Sequence, residues 1–307
     1  MPTNRPFEDY FGGKGSLYQN IINQQAPHLI YFESHIGNGS VYAHKAPALV
    51  NIGTDLNPDV IAGWHRVTIE NGGHRVTSQS AVAAVTDKMS GAAPPSETVM
   101  NAGIHRQKWW DRAKSPQSVV RAVASISALV DQLARIDDTA IFVDKAGCLH
   151  IFICGDASAI LSAVTLPVCA LVYADPPYPM ETRNNQTPRY ACEYTPAQHS
   201  ELLYVLLQLE CMVMVSSYFS AEYANALAHW HYATFTAYTR QHQEMTEWLW
   251  MNYSEPNRLH DYRYLGKDYR ERETIKKMIK RQVKRFQGMP RLKRLALIAA
   301  LEEEGLI

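Results

Sequence analysis

An α/β fold around a buried, mostly parallel sheet is what this 307-residue sequence predicts. Three observations predict it. Short apolar runs recur, each ending at a polar or acidic residue; helix-patterned segments lie between them; and the first run opens into a Gly-rich turn. Consecutive apolar residues, in place of alternation, mark strands covered on both faces, and such sheets carry their sites at the strands' carboxyl ends.

In order, Leu29 to Phe32 is the first expected strand, running into Ile36-Gly37-Asn38-Gly39. Ala48 to Ile52 is the second, ending at Thr54-Asp55, and Leu149 to Cys154 the third, ending at Gly155-Asp156. Cys169 to Ala174 is the fourth, ending at Asp175, and Cys211 to Ser216 the fifth, preceded by a helical pattern from Pro196 to Glu210. Residues 65–148 break this rhythm with Gly72-Gly73, Ser78, Ser90-Gly91 and Pro94-Pro95, followed by a helix-like run from Pro116 to Arg135. They read as an insertion with its own small subdomain. His229 and His231 flank Trp230 on an expected helix, on different faces, so they do not read as a metal pair.

Lys plus Arg and Asp plus Glu each total 30, a formal charge of zero. That balance hides an asymmetry, because residues 263–294 hold 13 basic and three acidic side chains, a net +10, which leaves −10 elsewhere. Ile275, Met278, Ile279, Val283 and Phe286 recur at three- and four-residue spacing within this segment, and a second apolar helix is expected from Leu292 to Glu304 with Gly305 as its cap. The tail reads as a helical hairpin docked by its apolar side, with its cations opposite. A basic block of this kind suits a polyanion. The five cysteines form no CxxC pair, which disfavours a disulfide scaffold and a structural zinc site. The chain's first residues show no apolar targeting core, and Leu202 to Phe219 is interrupted by Gln208 and Glu210, so a reduced, cytoplasmic protein without a membrane partner is expected.

The most informative motif is Asp175-Pro176-Pro177-Tyr178, directly after a strand. The exocyclic amino group of a nucleobase is a poor nucleophile, since its lone pair is delocalised into the ring. A carboxylate and a fixed backbone carbonyl, here those of Asp175 and Pro176, can accept both amino protons and orient the nitrogen. Tyr178 offers a face for the base to stack on. Glu33 to Gly39 forms the turn after the first strand, and Asp55, 18 residues beyond Gly37, stands where an acidic group binds ribose hydroxyls. The third glycine of a dinucleotide fingerprint is missing, which argues against NAD. Gly12-Gly13-Lys14 makes a loop whose backbone can approach a ligand closely, with one cation.

The order FGGKG, YFESHIGNGSVY, NIGTDLNP, CGDA and YADPPY resembles that of the Dam-like (D12 class) DNA adenine-N6 methyltransferases. The resemblance continues through Val213 to Tyr218 and through Thr246 to Tyr253, similar to that family's late strand ending in Asn-Tyr. It implies a Rossmann-like methyltransferase sheet and S-adenosylmethionine as methyl donor. It further implies that Asp175, Pro176, Pro177 and Tyr178 are catalytic and that Tyr10, Gly12, Gly13, Lys14, Glu33, His35, Gly37, Gly39, Asp55, Leu56, Asp156, Ala157 and Asp175 bind the cofactor. Glu33-Ser34-His35 departs from the family's usual Glu-Pro-Phe, with His35 placed to pack against the methionine part. The implied organisation is a catalytic unit of residues 1–64 and 149–262, a target-recognition insertion at 65–148 and a basic helical extension at 263–307. The implied partner is double-stranded DNA, with a cognate restriction nuclease as a further one. Arg106, Lys108, Arg112, Arg183, Arg189, Lys276, Lys280 and Lys284 are the expected DNA contacts, with Trp109-Trp110 placed to stack. Two alternatives stay open at this level: methylation of cytosine N4 or of RNA adenine, and a silent methyltransferase-like DNA-binding protein.

Overall fold

The computed structural model describes residues 5–7, 14–15, 17–91, 116–183, 191–238 and 244–304. Its centre is a sheet of nine strands in the order β3-β4-β5-β2-β1-β6-β7-β9-β8. These are β1 (Ile30–Glu33), β2 (Val50–Asp55), β3 (His74–Arg75), β4 (Thr139–Val143), β5 (Leu149–Cys154), β6 (Ala170–Ala174), β7 (Met212–Ser217), β8 (His231–Tyr238) and β9 (Glu244–Met251). The five strands expected from the sequence are β1, β2, β5, β6 and β7. They form a continuous parallel core, closed on one side by antiparallel β9 and its hairpin partner β8. This is the Rossmann-like, mostly parallel sheet that the sequence predicts, with two strands added at its other edge.

Side chains alternate across the strands into two separate cores, giving three layers. One face carries Ile30, Phe32, Ile52, Val172 and Val213, packed by α4 (Ser78–Gly91), α5 (Pro116–Leu133), α6 (Ala157–Ala163), α7 (Pro196–Gln208) and α8 (Ala221–Ala226). The other carries Tyr31, Phe152, Tyr173 and Met214, packed by α1 (Tyr18–Ile22), α2 (Ser40–His44) and α3 (Pro58–Glu70). Helix starts follow from local chemistry. Asn57 caps α3 ahead of Pro58, Asp156 caps α6 through Ala159 N at 2.9 Å, and Thr195 and Gln198 form a capping box on α7. Asn252, just past β9, accepts from Val213 N and donates to Cys211 O, fastening the antiparallel strand to the parallel core.

Three expectations are corrected. The described parts of the insertion do not form a subdomain of their own: β3 and β4 extend the main sheet beyond β5, and Ala81, Val85, Ile126 and Leu129 belong to the same core as the central strands. The expected helix around Trp230 gives way to a turn and the start of β8 at His231, where Ala233, Phe235 and Ala237 alternate onto the core. The tail does form two helices, α9 (Tyr269–Gln287) and α10 (Arg291–Glu303), but neither buries a residue. Met278, Ile279, Val283, Leu292 and Leu295 stay exposed, so the apolar stripe is not docked, and Lys276, Lys280 and Lys284 line the same groove as Ile275, Ile279 and Val283. Gly305 lies outside the described residues.

Candidate functional site

Strand order reverses between β1 and β6, so the connections leaving them run to opposite sides of the sheet and open a crevice at their carboxyl ends. Glu33, the last residue of β1, pairs with Tyr173 of β6, and Asp175 follows two residues later. A cleft at this point is lined by Lys14, Glu33, His35, Gly37, Gly39, Asp55, Leu56, Ala157, Asp175 and Pro177. The structure thus brings together most of the described residues that the sequence nominated. Tyr10, Gly12 and Gly13 lie outside the described residues, as do Arg106, Lys108, Trp109, Trp110, Arg112 and Arg189.

The turn after β1 is held from several sides. Gly37 and Gly39 adopt positive φ (45° and 53°), and a Cβ on Gly39 would strike the Trp64 ring. Trp64 Nε1 donates to Gly37 O at 2.9 Å. Asp55 accepts from Gly37 N and Asn57 N, each at 2.9 Å, which ties the turns after β1 and β2 to one carboxylate. Burial raises the Asp55 carboxyl, and these two backbone donors oppose that rise. Burial pushes Glu33 up to about 8, although the Tyr31 hydroxyl donates to it at 2.7 Å. Ser40 Oγ is buried beside the cleft with no hydrogen-bond partner among the described residues.

Asp175 lies against Lys14, whose Nζ is 2.6 Å from Oδ1 and 2.8 Å from Oδ2. The same ammonium is 3.5 Å from Glu247 of β9 and 4.7 Å from the centre of the Tyr178 ring. Burial raises both carboxyl groups, and the Lys14 charge pulls each back. Tyr178 departs from expectation. It is buried, does not line the cleft, packs edge-on against Tyr218 at 4.5 Å, and turns its hydroxyl inward to Glu247. Its ring is therefore not presented for stacking. Pro176 is buried as well, while Pro177 reaches the cleft.

Two further nominees sit differently from expectation. Asp156 spends its carboxylate capping α6 and does not line the cleft, whereas the neighbouring Gly155 and Ala157 do. Arg183 is buried, bonded to Glu193 at 2.8 and 2.6 Å and to Tyr178 O, so it braces the loop after β6 instead of facing a phosphate. His35 is locked between Ser34 Oγ and Tyr194 OH, each at 2.9 Å, and burial holds it neutral with a pKa of about 3. Sequence reasoning missed Tyr194, which walls the cleft from a loop, and Glu247. Only the Thr246–Tyr253 stretch pointed toward the latter.

No protein-family model matches the chain, and no match was found among curated proteins. Solved structures similar to it include precorrin-8w decarboxylase from Methanobacterium thermoautotrophicum, at 8% identity and TM-score 0.35, covering 77% of this chain and 88% of that one. A protein of Streptococcus mutans, described as a methyltransferase and solved in complex with SAH, has 9% identity and TM-score 0.35, covering 77% and 96%. An rRNA methylase from Streptococcus thermophilus has 9% identity and TM-score 0.34, covering 77% and 93%. At these values the similarities assign no activity to this chain.

Proposed function

We propose that this protein is an S-adenosylmethionine-dependent methyltransferase acting on the exocyclic N6 amino group of adenine in DNA, in the manner of the Dam-like class. The observation that carries the reading is Asp175, the acid of Asp-Pro-Pro-Tyr, standing in one cleft with Glu33, Gly37 and Asp55 at the sheet's switch point. The donor set suits the cofactor: Asp55 for ribose hydroxyls, Glu33 for an ammonium, Leu56 and Ala157 for an apolar ring, and the Ser40 hydroxyl, without a partner among the described residues, for a further polar group. When bound, the cofactor supplies an electrophilic methyl group on a sulfonium.

Everything else falls to the chain. Asp175 can accept on both oxygens, as its contacts with Lys14 demonstrate, and the target amino group takes over that acceptor. Holding the amino nitrogen in line removes much of the entropic barrier to attack. An adenine inside a duplex cannot reach a cleft at a sheet edge, so the base is flipped out. The test is transfer of labelled methyl from S-adenosylmethionine to duplex DNA lacking adenine methylation, followed by digestion to nucleosides. Label in N6-methyladenine is expected; label in N4-methylcytosine, or only in RNA, would replace the substrate. Absence of S-adenosylmethionine binding would remove the enzymatic reading altogether.

A further inference from the structure

Two carboxylates and one ammonium meet under the cleft, and a single phenol hydroxyl joins the carboxylates. Tyr178 OH donates to Glu247 Oε1 and stands 3.3 Å from Asp175 Oδ1. A hydroxyl has one proton to give, which the nearer Glu247 receives, so the phenol oxygen can accept from Asp175 once that carboxyl carries a proton. Among the described residues, Lys14 is the one cation set against these two carboxyl groups, of which Glu247 is buried at 2% exposure and Asp175 half-buried. An arrangement of this charge has room for one more proton. Among the described residues, Tyr173 of β6 faces both carboxyl groups but is occupied with Ser216 Oγ at 2.9 Å, while Glu33, across the cleft, and Tyr223 face the Asp175 charge.

We propose that Glu247 takes up the proton released by the methylated amino group, through the Tyr178 hydroxyl. This inference rests on the amino-methylation reading. An amino nitrogen that has gained a methyl group carries one proton too many, and the N–H bond breaks as Asp175 accepts that proton. Asp175 then passes a proton to the Tyr178 oxygen while the Tyr178 proton moves to Glu247. The phenol is neutral before and after, and the net change is one proton moved from nitrogen to Glu247. The inward turn of Tyr178, which withholds its ring from stacking, thereby acquires a chemical role.

The experiment is single-turnover methyl transfer against pH for the parent and for Glu247→Gln, whose amide oxygen can still accept from Tyr178 but cannot take a proton. The rate constant should fall about tenfold or more, its dependence on pH should flatten, and S-adenosylmethionine and DNA affinities by titration should stay within about twofold. Tyr178→Phe keeps the ring and removes the bridge, so it should lose a similar factor, with the double variant no slower than either single one. Infrared difference spectra of the parent provide a second readout that needs no variant to fold and reports protonation instead of rate. The parent should show a protonated-carboxyl band on forming product that is absent without the methyl donor. An unchanged rate and pH profile in Glu247→Gln, or no such band in the parent, overturns the relay alone. A parent that transfers no methyl to any amino group overturns the methylation reading and the relay with it.

Discussion

Lys14 Nζ grips both oxygens of Asp175, at 2.6 and 2.8 Å, across 161 positions of sequence. Lys14 is buried and Asp175 half-buried, with side-chain exposures of 8% and 16%, and a third partner, Glu247, lies 3.5 Å from the ammonium. Removing the cation from a buried pair strands a charge, which typically costs about 3–5 kcal/mol unless a proton arrives to cancel it.

Lys14→Met keeps the bulk of the side chain and removes the charge. Asp175 is already raised by burial and is held back by Lys14, so its pKa should rise further in the variant. An acceptor must be ionised, hence the acid limb of kcat/KM against pH should move upward by roughly one unit. Asp175→Ala should lose nearly all turnover in a folded protein; a drop under about tenfold would remove it from the chemistry.

Glu33 titrates at about 8 because burial disfavours its charge, and it lines the cleft. At pH 7 it is mostly protonated. A bound ligand ammonium would favour its ionised form, so cofactor binding should release close to one proton at pH 7 and tighten as pH rises toward 8. Calorimetry in buffers of different ionisation heat measures this directly. Parent protein releasing no proton would mean that Glu33 does not meet the ammonium; Glu33→Gln should abolish the release.

Asp55 receives two backbone N–H groups and so stands in a fixed position at the cleft wall. Charge-assisted hydrogen bonds to ribose hydroxyls are worth roughly 1.5–3 kcal/mol, so Asp55→Ala should weaken S-adenosylmethionine at least about tenfold. DNA binding without cofactor should change little. Equal cofactor affinity in parent and variant would take Asp55 out of the ribose site.

The parallel core was legible because strands buried on both faces are written as consecutive apolar runs such as Ala170 to Ala174. The turn glycines and Asp55 were legible because local backbone chemistry demands those residue types. β8 carried the opposite signal, period-two alternation at Ala233, Phe235 and Ala237, and the helical reading of the preceding histidines obscured it. Residues 65–148 looked like an insertion because β4 stands apart from the acid-ended strands, although Thr139 to Val143 is itself a strand-forming run. The Lys14–Asp175 pair, the Tyr178–Glu247 bond and the Tyr194 wall are long-range contacts with no local pattern. The periodicity of α9 identified the helix, but an amphipathic pattern does not say what covers the apolar face.

His28 and His260 stack at 3.8 Å, with Lys45, Asp261 and Arg263 among the charges around them. Burial lowers both imidazoles, His260 to about 4, and Lys45 lowers them further. Each folded-state pKa lies below the unfolded value, so the unfolded chain binds more protons as pH falls and stability drops. The loss should begin near pH 6.5 and be complete for His260 below about 4. At about 1.36 kcal/mol per pH unit that residue alone accounts for roughly 3 kcal/mol. Glu33 works in the opposite sense, losing stability between its unfolded value and about 8 as pH rises. Urea midpoints measured from pH 7 to 4 should fall in the parent and fall less steeply in His260→Phe. An equal slope in both would show that this pair does not set the acid limit.

The basic tail supplies the last prediction. Its cations sit on exposed helices, and Lys276, Lys280 and Lys284 follow one another at four-residue spacing along one side of α9. Lys276 also pairs with Glu273 at 3.0 Å, an exposed contact that a phosphate can displace at little cost. Phosphate contacts carry no sequence information, and each one formed releases counterions, so its loss is visible in the salt dependence. Replacing all three lysines with Gln keeps helix propensity and should weaken duplex binding. The slope of log affinity against log salt should become shallower by roughly 1–3, the upper value if all three reach phosphates. The methylated sequence should stay the same, because these side chains lie far along the chain from the base-reading region expected at 65–148. An unchanged slope would assign the three lysines to a solvated face, and a changed target sequence would move recognition into the tail.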